Sequence, residues 1–287
     1  MHESDIAGAD HERRFGGLTR LYGPDCLGPL RAAHVMVAGL GGVGSWCAEA
    51  LVRSGIGRIT LIDMDHVAES NVNRQLHALD STLGQAKVDA MARRLADINP
   101  ACQVCTVDDF ITPDNTVSLL AERPDVLLDC TDQVAAKVAM VVEARRLALP
   151  VVVCGGAGGK TDVFSMRSAD LSQAVHDALL ARVRTQLRRQ HGFPKGAARP
   201  GKRAARPPRM GVQAIWFDQS VRLPSQWEPG TGSAQTGLQG LSCAGYGSAV
   251  TITASMGMAA ASLALEQILQ SAHSIRDLGL TLESGVE

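Results

Sequence analysis

The sequence predicts an α/β fold in which a mostly parallel sheet carries helices on both faces. Three observations support this prediction. Short apolar runs alternate with longer amphipathic segments, as parallel strands alternate with crossover helices. A glycine-rich turn joins the first apolar run to the first helical segment. Polar residues follow the ends of the apolar runs, which is where ligands bind in sheets of this kind.

The first unit has the pattern of a mononucleotide-binding strand–turn–helix–strand motif. Its strand, turn, helix and second strand are predicted at residues 35–38, 39–44, 46–52 and 58–62. The turn contains Gly39, Gly41, Gly42 and Gly44, and Asp63 follows the second strand. Glycines let a backbone approach a phosphate, a helix N-terminus attracts its charge, and a later acidic residue can hold a ribose hydroxyl. The alternative to a ribose contact is that Asp63 caps the N-terminus of a helix.

The remaining elements follow from periodicity and from helix-breaking residues. Helices are predicted over 87–98, 117–123, 134–149 and 171–189, and strands over 103–107, 126–128 and 151–154. Pro100 and Pro124 end the first two of these helices. The fold class is therefore a Rossmann-like sheet, followed by a C-terminal irregular, basic segment and a final apolar helix.

The glycine turn alone fits a nicotinamide, flavin or ATP site, but the polar residues after it favour ATP. They are Asp63, Asp65, Asn71, Arg74, Gln75, Lys87 and Asp132. Transfer of AMP requires binding of a triphosphate, neutralisation of charge at the α-phosphate and a metal on the leaving pyrophosphate. A nicotinamide oxidoreductase needs no such array, so it is the weakest of the alternatives.

These residues, in this order, resemble the ubiquitin-activating-enzyme-like adenylyltransferases, which include the bacterial activators in molybdopterin and thiamin synthesis. The resemblance covers about residues 13–159. It implies ATP binding by the glycine turn, with Gly42 and Gly44 against the phosphates and Asp63 at the ribose. By the same resemblance Asn71 and Arg74 contact phosphates.

The resemblance also implies catalytic roles for four charged residues: Arg74, Lys87, Asp132 and Arg14. Lys87 reaches the α/β region, and Asp132 lies on the Mg²⁺ and pyrophosphate side, with capping of the following helix as its alternative role. Arg14 is similar to the arginine that reaches into the ATP site of the dimer partner, which implies a homodimer. A plain surface arginine is the alternative.

One branch of the family matches more of the chain. The matching segments are residues 14–23, 73–79, 107–115, 155–159 and 242–247, whereas residues 190–240 fit poorly. That branch is the tRNA threonylcarbamoyladenosine dehydratases. The resemblance implies ATP-dependent cyclisation of threonylcarbamoyladenosine beside the tRNA anticodon, through an acyl-adenylate. The resemblance also implies a monovalent cation as a candidate ligand, and a cysteine desulfurase or sulfur-acceptor system as a candidate partner.

Cysteines argue against a structural zinc. Sulfur-carrier activators usually carry two CxxC pairs, whereas this chain has one, Cys102 to Cys105, in a predicted strand where positions three apart face opposite sides. We therefore expect no zinc. Cys243 is a candidate functional thiol, and a small buried thiol is the equal alternative. The seven cysteines are scattered, which favours reduced thiols in the cytoplasm.

A basic block predicts a polyanionic partner. The net charge is −1, yet residues 182–209 hold ten of the 28 Lys and Arg residues and no acidic residue. Its candidate tRNA-binding residues are Arg182, Arg184, Arg188, Arg189, Lys195, Lys202 and Arg203. Prolines and glycines from His191 onwards predict irregular chain there. RNA is the favoured partner, and a solvated loop without function or another acidic partner are the alternatives.

The C-terminal region contains an uncharged apolar run at 249–265. Its 17 residues fall short of the roughly 20 that a membrane-spanning helix needs, so we expect a buried helix and no membrane association. We expect an ATP-binding adenylation domain at 1–170, with its core at 30–160. Residues 171–287 are expected to complete the same domain, with a flexible basic segment at 182–209.

Two further functions remain open from the sequence. An activator that adenylates the C-terminus of a small sulfur-carrier or ubiquitin-like protein would share the ATP site but not the basic block. A nucleotide-regulated RNA-binding protein without chemistry would bind ATP and tRNA without releasing pyrophosphate.

Overall fold

A computed structural model describes residues 11–196, 207–222 and 246–277. Within these residues seven strands form one sheet: β1 His34–Ala38, β2 Arg58–Ile62, β3 Gln103–Val107, β4 Val126–Asp129, β5 Val151–Cys154, β6 Met166–Asp170 and β7 Gln213–Phe217. Their order across the sheet is β3-β2-β1-β4-β5-β7-β6. Each neighbouring pair is parallel except β6 and β7, which are antiparallel. The predicted mostly parallel sheet is confirmed.

The helices of the described residues cover both faces of the sheet. They are α1 His11–Phe15, α2 Thr19–Tyr22, α3 Leu27–Ala32, α4 Gly44–Arg53, α5 Lys87–Ile98, α6 Thr116–Leu119, α7 Val134–Leu147, α8 Ala178–Gln190 and α9 Val250–Asp277. Strand residues alternate between two apolar clusters: Val35 and Val37 point to the face of α4 and α9, whereas Met36 and Ala38 point to that of α7 and α8. This alternation gives a sheet that is buried on both sides.

Two predicted helices differ from the structure. The segment predicted as a helix over 117–123 is a short α6 followed by a 3₁₀ turn, Leu120–Glu122, which Arg123 ends with a left-handed φ of 48°. The segment predicted as a helix over 171–189 begins as a 3₁₀ turn, and α8 starts only at Ala178. The reason is a cap, because the Asp177 carboxylate accepts a hydrogen bond from the backbone N–H of Leu180.

The final apolar helix, α9, packs against the core. A Cβ at Gly257 would lie 2.4 Å from the backbone oxygen of Val43, so α9 and the start of α4 meet at their backbones. By length and composition alone, Val250–Ser274 could cross a membrane, but 56% of its most apolar window is buried inside the protein. The apolar character of α9 is therefore largely explained by packing against α4 and the sheet.

Candidate active site

A cavity of about 300 Å³ opens at the carboxyl ends of the parallel strands. The glycine turn after β1, the Asp63 segment after β2, the 130–133 segment after β4 and the glycine segment after β5 all line it. Parallel strands place their carboxyl ends at one edge, so these separate motifs meet there. The structure brings nine of the ten predicted ATP-binding residues together with Asp132 in one site: Gly39, Gly41, Gly42, Asp63, Asp65, Asn71, Arg74, Gln75, Lys87 and Asp132. The tenth, Gly44, does not line the cavity of the described residues.

Three positions of the turn differ in how much space they leave for a side chain. A Cβ at Gly44 would lie 1.8 Å from the backbone oxygen of Gly39, so glycine there lets the turn close on itself. A Cβ at Gly42 would lie 2.9 Å from Cγ2 of Thr253, at the start of α9. At Gly41 no atom lies within 4 Å of the Cβ position. Gly41 therefore leaves the backbone open towards the cavity, which suits close approach by a phosphate.

Asp63 is almost fully buried beneath the glycine turn. Its Oδ2 accepts a hydrogen bond from the backbone N–H of Leu40 at 2.6 Å, and its Oδ1 accepts one from Asp65 at 2.8 Å. Burial raises the pKa of the Asp63 carboxyl above its ordinary value, and the nearby Lys87 ammonium opposes that shift. Asp63 thus fixes the turn itself, in addition to the predicted ribose contact.

Lys87, the first residue of α5, is a buried cation that lines the cavity. Its side chain is 5% exposed, and its Nζ lies 2.7 Å from Oδ2 of Asp65 and 4.0 Å from Oδ1 of Asp63. The backbone N–H of Lys87 also donates to the oxygen of Asp65. A buried ammonium in surroundings of low dielectric constant interacts strongly with phosphate oxygens.

Arg74 also lines the cavity, on the segment between β2 and α5. Its guanidinium donates to the backbone oxygen of Ser70 at 2.7 Å and to Oδ1 of Asn73 at 2.9 Å. The indole N–H of Trp46, on α4, donates to the backbone oxygen of Arg74. Helix α4 therefore holds the segment that carries this second cation.

Asn71 and Gln75 are buried polar residues beside Arg74. Oδ1 of Asn71 accepts a hydrogen bond from the backbone N–H of Ala68 at 3.1 Å. Among the described residues, Oε1 of Gln75 has no hydrogen-bond partner. A buried amide oxygen without a partner costs free energy, so Gln75 is suited to bind a ligand donor.

The 130–133 segment fits a magnesium ion that arrives with phosphates. Asp132 is exposed to the cavity, and its carboxylate makes no hydrogen bond or ion pair with a described residue. Mg²⁺ keeps several waters and is commonly held by one or two carboxylates together with substrate phosphates. Asp132 would hold the ion, which supplies charge neutralisation at the pyrophosphate when bound.

The second half of the cavity was not predicted from the sequence, except for the glycine segment at 155–159. It is lined by Gly155, Gly156, Lys160, His176 and Asp177. The buried Lys160 donates to the backbone oxygen of His176 at 2.8 Å, and burial lowers the pKa of its ammonium. Residue His176 has a left-handed φ of 55°. Asp177 accepts from the backbone N–H of Gly156, so the same carboxylate that caps α8 also shapes the glycine segment.

Comparisons with known proteins agree with this geometry. A model described as the ThiF family matches residues 16–278. This chain belongs to the ThiF family. The tRNA threonylcarbamoyladenosine dehydratase of Haemophilus influenzae is 40% identical over 262 residues, which are 91% of this chain and 95% of that protein. The crystal structure of the E. coli tRNA N6-threonylcarbamoyladenosine dehydratase in complex with ATP has a TM-score of 0.79 at 38% identity, covering 92% of this chain and 96% of that one.

A more distant relative matches a shorter part of the chain. The molybdopterin-synthase adenylyltransferase of E. coli is 38% identical over 108 residues, which are 38% of this chain and 43% of that protein. The dehydratases match almost the whole chain, so the predicted resemblance to the dehydratase branch is confirmed.

Other predicted residues of this ThiF-family chain either do not line the cavity or lie outside the described residues. Arg14, on α1, does not line it and donates from its guanidinium to the backbone oxygen of Ile98 at 2.8 Å. Its predicted role needs a second subunit, so it stays a prediction. Cys243, Lys202 and Arg203 lie outside the described residues.

The basic residues of α8 and the segment after it divide into two groups. Arg182, Arg189 and Lys195 are exposed. Arg184 is partly buried and donates to the backbone oxygens of Leu171 and Ala174, at 3.3 Å and 2.6 Å.

The other partly buried arginine, Arg188, donates to the backbone oxygen of Pro194 at 3.0 Å. Arg184 and Arg188 therefore hold the protein's own backbone, which leaves the exposed group as the better candidates for tRNA.

Proposed function

We propose that this protein uses ATP to dehydrate, and thereby cyclise, threonylcarbamoyladenosine next to the anticodon of tRNA. The observation that carries this proposal is the two-part cavity, in which the nucleotide residues face a second half lined by Gly155, Lys160 and His176. Similarity to named dehydratases over almost the whole chain supports the choice of substrate.

The first step activates the carboxylate of the threonylcarbamoyl group. A carboxylate oxygen attacks the α-phosphorus of ATP, the bond to the bridging oxygen breaks, and pyrophosphate leaves. The product is an acyl-adenylate. Lys87 and Arg74 stabilise negative charge on the phosphoryl oxygens, and the open backbone at Gly41 admits the phosphates. Asp132 would hold a Mg²⁺ ion, which would supply charge neutralisation on the leaving pyrophosphate.

The second step closes the ring. A nucleophile within the same side chain attacks the activated carbonyl carbon, the bond to the phosphate oxygen breaks, and AMP leaves. One carboxyl oxygen leaves on AMP. The carboxyl group and the nucleophile each lose one proton, so the modified base loses the elements of water. Intramolecular attack has a large effective molarity, so no enzyme nucleophile is required.

We further propose a homodimer in which Arg14 completes the partner's ATP site. The support is that Arg14 lies outside the cavity of its own chain. Mixing Arg14→Ala subunits with Asp132→Ala subunits is expected to restore partial activity, because each mixed dimer then contains one intact site. Mixing Lys87→Ala with Asp132→Ala subunits is the control and should restore none. Equal inactivity of both mixtures would contradict the shared site.

The exposed basic residues of α8 supply a tRNA surface in this proposal. Arg182, Arg189 and Lys195 are exposed, and Lys202 and Arg203 belong to the same basic block in the sequence. Phosphate contacts of this kind position a nucleic acid without reading its sequence. We place the protein in the cytoplasm with its tRNA substrate, assign α9 to the protein core rather than to a membrane, and propose no zinc.

ATP–pyrophosphate exchange tests the proposal against its nearest alternative. We expect exchange with threonylcarbamoyl-modified tRNA and none with unmodified tRNA. Exchange with a small protein ending in Gly-Gly, and none with modified tRNA, would overturn the proposal in favour of a carrier-protein adenylyltransferase. Binding of ATP and tRNA without exchange would indicate an RNA-binding protein without chemistry. Addition of a cysteine desulfurase or of K⁺ to the same assay tests those two predicted partners.

A further inference from the structure

Lys137, on α7, is a fully buried cation that the proposed reaction does not use. Its ammonium donates to three acceptors: Oδ1 of Asp129 at 3.0 Å, the backbone oxygen of Asp129 at 3.4 Å and the backbone oxygen of Cys154 at 2.8 Å. Asp129 ends β4 and Cys154 ends β5. A single side chain therefore joins the ends of two neighbouring strands, at the point where each leads into the active site.

Towards the nucleotide residues, the contacts of Lys137 continue through Asp129 to Thr131, the residue before Asp132. Oδ1 of Asp129 also accepts hydrogen bonds from the backbone N–H of Thr131 at 3.1 Å and from its hydroxyl at 2.8 Å. The same segment touches the glycine turn, because the Cβ position of Gly39 lies 3.0 Å from the backbone carbonyl of Cys130. Through Asp129, Lys137 thus fixes Thr131, the residue before Asp132.

On the substrate side, the connection leads to Gly155 and Gly156. The N–H of Gly155 donates to the backbone oxygen of Ile215, and the N–H of Gly156 donates to Oδ2 of Asp177. Cys154, which accepts from Lys137, comes directly before them. The two halves of the cavity are therefore connected through one ammonium group.

Stability does not account for this ion pair. The side chains of Lys137 and Asp129 are 0% exposed, and removing two charges from water costs more than their attraction usually returns. Oδ2 of Asp129 also has no partner among the described residues, which adds to the cost. Replacing a buried ion pair by an apolar pair of similar volume is often neutral or stabilising.

We infer that Lys137 is a positioning residue that holds the Asp132 segment and the Gly155 segment in register, so that the activated carboxyl meets its internal nucleophile. This inference rests on the proposed function. It assigns Lys137 no contact with substrate or nucleotide. Loss of the connection should slow turnover while leaving the binding of ATP nearly unchanged, because the glycine turn, Lys87 and Arg74 are held by other contacts.

The test uses the double variant Asp129→Asn/Lys137→Met, which removes both buried charges together and avoids an unpaired one. Its asparagine can still accept from Thr131, whereas the connection to Cys154 is lost. The control is Glu143→Gln, which removes an ion pair with Arg146 in the C-terminal half of the same helix. The measurements are the melting temperature, the Kd for ATP, kcat with modified tRNA, and amide hydrogen exchange at Thr131 and Gly156.

We expect the double variant to melt at or above the wild-type temperature, to bind ATP within about threefold of wild type, and to lose kcat by about 100-fold, the scale of a small misplacement. Exchange at both amides should be faster, and the control should match wild type. Wild-type kcat with unchanged exchange, or a fall in melting temperature that explains the lost activity, would overturn the inference. If the wild type itself forms no product, the proposed function fails, and amide exchange alone decides the role of Lys137.

Discussion

The ammonium of Lys87 lies 2.7 Å from the carboxylate of Asp65 inside the nucleotide half of the cavity. The two side chains differ in exposure, since Lys87 is 5% exposed and Asp65 is 55% exposed. The carboxylate therefore balances a buried cation while remaining close to water. In the proposed reaction a phosphate of ATP takes the place of the Asp65 carboxylate, which returns to water at low desolvation cost, and Lys87 then binds the triphosphate.

Replacement of Lys87 by methionine is expected to lower kcat/KM for ATP by about 10²–10³-fold, the scale of losing one preorganised charge at a phosphoryl transition state. Release of AMP in the presence of modified tRNA measures the effect. Arg53→Met removes a cation from the exposed end of α4 and serves as the control. Activity of Lys87→Met within twofold of the control would show that the cation is not used.

Gly41 and Gly44 give a matched pair of substitutions in one turn. Gly41→Ala meets no atom within 4 Å, so the free energy of unfolding should change by less than about 1 kcal/mol while the affinity for ATP falls. Gly44→Ala places a Cβ 1.8 Å from the oxygen of Gly39, so it should lose about 1–3 kcal/mol of stability or more. Urea unfolding and ATP titration separate the two effects. Equal stability of the two variants would contradict the steric assignment.

The exposed and half-buried arginines of α8 should behave differently. Arg182→Ala and Arg189→Ala are expected to weaken tRNA binding and to reduce the slope of log Kd against log salt by about 1 each, with stability unchanged.

Arg184→Ala should instead lower the melting temperature, because its guanidinium holds the backbone oxygens of Leu171 and Ala174. tRNA titrations at several salt concentrations, with thermal melts, check both statements. An unchanged salt slope in both exposed variants would remove α8 from the tRNA surface.

His77 makes the stability of the protein depend on pH. It is 2% exposed, and its ring nitrogens have no partner among the described residues. Burial, and then the charge of Lys87, lower the pKa of His77 from 6.5 to about 4. Between these values the unfolded chain binds a proton that the folded chain does not, so stability should fall by about 3 kcal/mol as pH drops from 6.5 to 4.

The variant His77→Phe should lack this component of the pH dependence, and the exposed His191→Phe should keep it. Urea unfolding at a series of pH values measures the difference. Identical pH profiles for His77→Phe and wild type would contradict the assignment.

The nucleotide half of the site could be predicted from sequence because its residues are close in the chain. The glycine turn lies in the β1–α4–β2 unit, Asp63 follows it directly, and Lys87 begins the next helix, so strand periodicity and glycine spacing are local signals for them. The helix start at Ala178 also had a local signal, the capping residue Asp177, which the helical periodicity of the neighbouring residues obscured.

The second half of the cavity, which contains Gly155, Lys160 and His176, depends on contacts between distant residues. His176 meets Asp218, 42 positions away, only because β6 and β7 pair as an antiparallel edge. Asp170 likewise accepts hydrogen bonds from the backbone of Met210 and Gly211. The need for glycine at position 42 also depends on Thr253, far along the chain in α9. No local pattern encodes these pairings, so propensity and spacing could not reveal them.

Dehydratase activity can be measured by mass spectrometry of nucleosides from threonylcarbamoyl-modified tRNA after incubation with the protein, ATP and Mg²⁺. We expect the modified adenosine to lose the mass of one water molecule, with AMP and pyrophosphate released in equal amounts to the product. An unchanged nucleoside mass, with wild-type protein that binds both ATP and tRNA, would show that the protein is not a dehydratase of this nucleoside.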